Sequence, residues 1–113
     1  MLQRLLTEFL RHESVEQALV FDDRGRMLSS VAKQGILPAT ERAVDMTVRA
    51  LAATQHTGFG ELQEIWFEGN ETTMIDVLTP YRILMLQGKQ GQVARWRHTV
   101  DRMRKQLSTT PEF

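Results

Sequence analysis

Projected at about 100° per residue, the first twelve positions place Leu2, Leu5, Leu6, Phe9 and Leu10 on one arc. Arg4, Glu8 and Arg11 fall opposite. This spacing predicts a helix over 1–12. The apolar pattern then changes. Val15 to Phe21 reads as a strand that ends in Asp22-Asp23-Arg24-Gly25, with Asp opening and Gly closing a tight turn. Met27 to Val31 reads as the return strand of a hairpin. A loop over 33–38 leads into the longest predicted helix, 39–57, which Gly58 and Gly60 stop. Three strands follow: Leu62 to Glu68, Thr72 to Leu78 and Arg82 to Gln87. Their connections are short enough to require antiparallel neighbours. A last helix is expected from about Gln92 to Leu107, with Val93, Trp96, Val100, Met103 and Leu107 as its apolar stripe.

The order is helix, two strands, helix, three strands, helix. It predicts an α+β fold with one five-stranded antiparallel sheet. Arg82-Ile83-Leu84-Met85-Leu86 is almost continuously apolar, so this strand is expected at the centre with helices over both faces. The reading gives one domain over 1–107 and a fraying tail over 108–113, which holds Pro111.

Two segments carry more apolar surface than a lone chain needs. The first is the strand 62–68. Leu62 and Trp66 point one way, Ile65 and Phe67 the other. The strand opens the three-strand meander, which makes it a natural sheet edge. An edge that is apolar on both faces invites aggregation unless something covers it. Covering helices are one solution; pairing with a second copy is the other. The second segment is the long helix. Val44, Val48 and Leu51 form one arc, and Ala43, Met46, Ala50 and Ala53 form another. Its charges, Glu41, Arg42, Asp45 and Arg49, are confined to the remainder. The uncharged arc is about twice that of an ordinary surface helix. Branched residues suit a sheet face, and the small-residue arc suits a close second helix.

Composition narrows the function. The chain has 113 residues, 42% hydrophobic and 25% charged, with no cysteine. That excludes disorder, disulfides and thiolate chemistry. Fourteen bases balance fourteen acids, so a wholly basic polyanion-binding surface is not expected. The charges are nevertheless uneven: residues 61–76 hold five acids and no base, and residues 77–113 hold seven bases and two acids. Arg95, Arg102 and Lys105 lie away from the last helix's apolar stripe and read as a solvated face, without the interleaved aromatics of a nucleic-acid or membrane surface. No apolar run approaches the roughly 18 residues of a membrane span. Arg4, Glu8 and Arg11 break the N-terminal leucines, so no signal peptide is read and a cytoplasmic location is expected.

Catalytic chemistry is thin. Gly58-Phe59-Gly60 follows a helix and lacks the Lys-Ser/Thr of a phosphate-binding loop. His12, His56 and His98 lack metal-ligand spacing. Asp22 and Asp23 make a turn rather than a calcium loop. Glu64 and Glu68 share a strand face and read as solvated or cross-strand-paired acids rather than an acid/base pair. Neither a cofactor nor an enzymatic activity of the chain's own is expected.

The run Ala18-Leu19-Val20-Phe21-Asp22-Asp23-Arg24-Gly25-Arg26-Met27-Leu28-Ser29-Ser30 resembles the first hairpin of the roadblock family, the dynein light-chain type. Ile65-Trp66-Phe67-Glu68-Gly69 resembles that family's third strand, and the element order matches along nearly the whole chain. Gln17 departs from the family, which often has Gly there. The resemblance implies a profilin-like sandwich. It also implies homodimers in which third strands pair into a ten-stranded sheet and long helices pack side by side. Leu62, Ile65, Trp66, Phe67, Ala43, Met46, Ala50 and Ala53 would then form the dimer interface. Short, stand-alone, bacterial-looking members resemble the MglB type, a GTPase-activating partner of a small Ras-like GTPase in cell-polarity control; others are scaffolds for dynein or for lysosomal and signalling GTPases. The expected function is accordingly a homodimeric GTPase regulator that binds neither nucleic acid nor membrane, with Arg42, Asp45 and Arg49 as the GTPase-docking surface. The alternatives are a non-catalytic scaffold of a motor or signalling complex and a small-ligand sensor.

Overall fold

The computed structural model describes residues 1–35, 45, 47–49, 64–68, 71–89 and 93–112, with the backbone alone at Phe67 and Glu68. Helix α1 spans Leu2–Phe9. Strands β1 (Val15–Phe21) and β2 (Met27–Ala32) follow, then β3 (Glu64–Glu68), β4 (Thr72–Thr79) and β5 (Arg82–Gly88). Helix α2 spans Val93–Thr109. The five strands form one sheet in the order β2-β1-β5-β4-β3, every pair antiparallel. The fold is α+β, as its alternating periods predict.

Strand β5 is central, and the reason is its composition. Ile83, Leu84, Met85 and Leu86 are all fully buried, so both faces of the strand are covered. Alternation divides them. Leu84 and Leu86 join Ala18, Val20 and Met74 on the face that packs against Leu2, Leu6 and Phe9 of α1 and the α2 stripe. Ile83 and Met85 join Leu19, Phe21 and Ile75 on the other face, with Ile65 and Val77 packed at its margin. Trp96, Val100 and Leu107 are fully enclosed, so α2 lies on the sheet by the stripe that its sequence shows. The long helix expected over 39–57 lies outside the described residues except at Asp45 and Thr47–Arg49, which are helical; Thr47 is buried.

Several boundaries differ from expectation. Helix α1 ends at Phe9, not at residue 12, because Leu10, Arg11 and His12 donate to carbonyls three residues back and tighten into a turn. Helix α2 continues to Thr109, two residues past Leu107; Ser108 and Thr109 hydroxyls donate back to the Arg104 and Lys105 carbonyls. Beyond it, the Pro111 carbonyl accepts the Leu2 N–H at 3.2 Å. The β1–β2 turn is built as expected. Gly25 takes φ 83, and Asp22 Oδ1 accepts the backbone N–H groups of Arg24 and Arg26 at 2.9 and 2.8 Å.

The α1–β1 connection is fastened from three directions. Lys33 Nζ donates to the His12 and Glu13 carbonyls, both at 2.9 Å. Trp96 Nε1 donates to Ser14 Oγ at 2.9 Å. The Thr99 hydroxyl donates to the Arg95 carbonyl at 3.1 Å and so has no second proton to give. With the hydroxyl turned to that carbonyl, the 2.7 Å contact with His12 Nε2 is one in which the ring N–H donates to Thr99.

Candidate functional site

Strand β3 ends the sheet. It pairs with β4 alone, from Glu64↔Asp76 to Glu68↔Thr72, and its outer side meets no strand among the described residues. The opposite edge, β2, is different in character: it has no fully buried residue, and its side chains are all exposed or half-buried. That is a solvated edge. Strand β3 instead places apolar surface on both faces. Ile65 packs with the Leu19/Phe21/Ile75/Ile83/Met85 cluster. Trp66, opposite Met74, lies on the α2 side and is 46% exposed.

Helix α2 fixes the Trp66 side of this edge. The Arg97 guanidinium sits 5.4 Å from the centroid of the indole ring. Arg97 Nε also approaches Glu64 Oε1 at 3.2 Å. The pair is electrostatic rather than a well-aligned hydrogen bond, and this buried oxygen has no hydrogen-bond donor. Glu64, its side chain 21% exposed, thus has its base on the helix above it rather than on a neighbouring strand.

Next along the same flank, Arg104 grips Asp76 with two bonds of 2.7 and 2.9 Å and Asp101 with a third of 2.9 Å. The bond from the Asp76 carboxylate raises the Arg104 pKa above its ordinary value; partial burial opposes this and Asp101 reinforces it. Asp76 sits almost wholly inside, so the pair ties α2 to β4.

Of the expected interface residues, Ile65 and Trp66 flank the free edge, and Phe67 lies in β3 between them and Glu68. Leu62, Ala43, Met46, Ala50 and Ala53 lie outside the described residues, as does Arg42. Asp45 and Arg49 are both on helical residues and form an exposed pair at 3.2 Å. That pair is worth about 0.3–0.5 kcal/mol, so either partner can be drawn away at small cost.

An open hollow of about 420 Å³ lies at the hairpin tips, lined by Asp22, Asp23, Arg24, Arg26 and Tyr81. Its two acids and two arginines balance, and Arg26 Nε is already held by Asp22 at 3.2 Å. Among the described residues no three His, Asp or Glu side chains are grouped to hold a metal, and no helix is long and apolar enough to cross a membrane.

Sequence reasoning missed the Glu64–Arg97–Trp66 and Asp76–Arg104 groups. For the second a signal existed: Asp76 interrupts Met74-Ile75-Asp76-Val77 on the face that alternation assigns to the core. An acid there needs a base.

No family model matches the chain, and no curated protein matches it in sequence. Solved structures do match. An MglB with a tetrameric arrangement superposes with a TM-score of 0.79 at 21% identity, covering 95% of this chain and 85% of that one. The gliding protein MglB from Thermus thermophilus gives 0.78, at the same identity and coverage. A Roadblock/LC7 domain from Streptomyces avermitilis gives 0.74 at 11% identity, covering 93% and 92%. The fold of this chain is therefore the roadblock/LC7 fold that MglB also has.

Proposed function

We propose that the chain is a homodimeric regulator of a small Ras-like GTPase, and that it activates GTP hydrolysis by favouring one conformation of the GTPase. The observation that carries this reading is the roadblock/LC7 fold, shared with MglB over 95% of the chain, with the apolar strand β3 left at its edge. Pairing of two β3 edges would make a ten-stranded sheet and bring the two long helices together. Their charged sides, with Arg42, Asp45 and Arg49, would form a composite docking surface. The chain itself makes and breaks no bonds in this scheme and works where GTPases work, in the cytoplasm, without a cofactor, nucleic acid or membrane. It acts through differential binding, since a ligand shifts an equilibrium only by its preference for one state.

The test uses the small GTPase recovered with the tagged chain from its own cells. Single-turnover hydrolysis of its GTP should accelerate on adding the chain. Arg49→Ala should weaken complex formation while saturating protein restores most of the rate. A drop of about 10³ at saturation would instead identify an inserted arginine. Binding without any acceleration would favour the scaffold reading.

A further inference from the structure

Helix α2 carries two kinds of basic residue, and the structure separates them. On the flank facing β3 and β4, Arg97 and Arg104 are neutralised by Glu64, Asp76 and Asp101. On the outer surface of the helix, beyond the side where Thr99 meets His12, lie Arg95, His98, Arg102 and Lys105. All four are exposed, and among the described residues none of their side chains has a hydrogen-bond or ion-pair partner. Their spacing is three, four and three residues. At about 100° and 1.5 Å per residue they occupy an arc of roughly 80° and a length of about 15 Å, a straight ridge along the outer surface of the helix. Arg4, on the neighbouring helix α1, is also exposed and unpaired. On a chain with no net charge, Arg95, Arg102 and Lys105 make a concentrated positive field, and the one acid beside it on the helix, Asp101, is held by Arg104 at 2.9 Å.

We propose that this ridge docks an acidic helix of another protein. The spacing selects the occupant. A second helix laid along the ridge repeats with the same three–four period, so carboxylates on one of its faces meet Arg95, Arg102 and Lys105 in register. An anionic bilayer fits less well. The apolar residues of α2 that could enter lipid, Trp96, Val100 and Met103, are turned into the core, and a membrane-surface helix needs them outward. A nucleic acid would look for aromatics between the bases. Among the described helices, a second copy offers only single acids: Glu8 on α1, held by Arg11 at 3.2 Å, and Asp101 on α2, held by Arg104 at 2.9 Å. The proposal is independent of the GTPase reading, because it uses neither β3 nor the Asp45–Arg49 pair.

The test is fluorescence anisotropy with a labelled alanine-based helix of about 18 residues, long enough to be helical alone. One version carries glutamates at three–four–three spacing; the control has the same composition with the glutamates spread around the helix. The striped peptide should bind at least about fivefold more tightly than the control, and more weakly at about 0.3 M than at about 0.05 M salt. The joint change Arg95→Gln, Arg102→Gln and Lys105→Gln should weaken it about tenfold. The corresponding triple change to Glu should abolish binding. All three sites are exposed, so an unchanged melting temperature shows that both variants remain folded. Equal binding of the control peptide, or full binding by the Gln variant, overturns the proposal. So does tighter binding to vesicles with phosphatidylserine than to the striped peptide. A ridge-dependent change in sedimentation of the protein alone overturns it in favour of a second copy.

Discussion

Gly88 shows how one missing side chain can fix a junction. A Cβ on it would lie 1.9 Å from the Ser14 carbonyl oxygen, and the Lys89 N–H next to it donates to that same oxygen at 2.9 Å. The obstacle is backbone on both sides and cannot swing away. Gly88→Ala should therefore destabilise the fold by about 1–3 kcal/mol, measured by urea unfolding. Asp22 is the second decisive residue. Burial pushes its carboxyl upward, but the Arg26 and Arg24 N–H groups and the Arg26 guanidinium outweigh this and hold it below the ordinary 3.8. A carboxyl depressed in the folded state stabilises fully above its unfolded value, and the contribution is lost as pH falls through the folded one. Asp22→Ala should cost about 1–2 kcal/mol at pH 7. The difference from wild type should shrink in melts taken below pH 3.8; a difference constant down to the lowest pH would mean the charge contributes nothing.

At the scale of elements, α2 is held by its apolar stripe, with Trp96 the largest anchor, and by ion pairs to β3 and β4. Trp96→Ala removes a fully buried ring and its donor to Ser14, and should cost about 3–5 kcal/mol by thermal or urea unfolding. Arg104→Met leaves Asp76 buried without its base. Because the Arg104 side chain is 37% exposed, water relieves part of the cost, giving about 2–3 kcal/mol rather than the full loss from a sealed pair. Adding Asp76→Asn should recover much of it, and a double-mutant cycle measures how much. The sequence made most of this scale legible. Alternation placed β1, the hairpin and β5 nearly to the residue, and the stripe from Val93 to Leu107 oriented α2 correctly. What it hid were partnerships across long separations. Arg97 with Trp66 and Glu64, and Arg104 with Asp76, join the helix to strands at least 28 residues away in sequence. Periodicity reports which face a residue occupies, not which side chain stands opposite.

At the scale of the whole molecule, the sheet has two unlike edges, and the functional reading rests on β3. Each buried Ile or aromatic side chain stabilises by roughly 1.5–3 kcal/mol, so a few from each chain offset the loss of free tumbling on association. Ile65 was legible as an edge residue from its place at the head of the meander. Trp66 was legible in the same way, but its contact with Arg97 was not, because that depends on where α2 crosses the sheet. Proline at Ile65 removes a ladder donor from the middle of β3 and should lower both dimer affinity and melting temperature. The central claim is tested most directly by sedimentation equilibrium of the wild-type chain at micromolar concentration. Pairing through β3 predicts a species of twice the 13.0 kDa chain mass, converted toward monomer by Ile65→Pro. A wild-type chain that sediments as a monomer would contradict it.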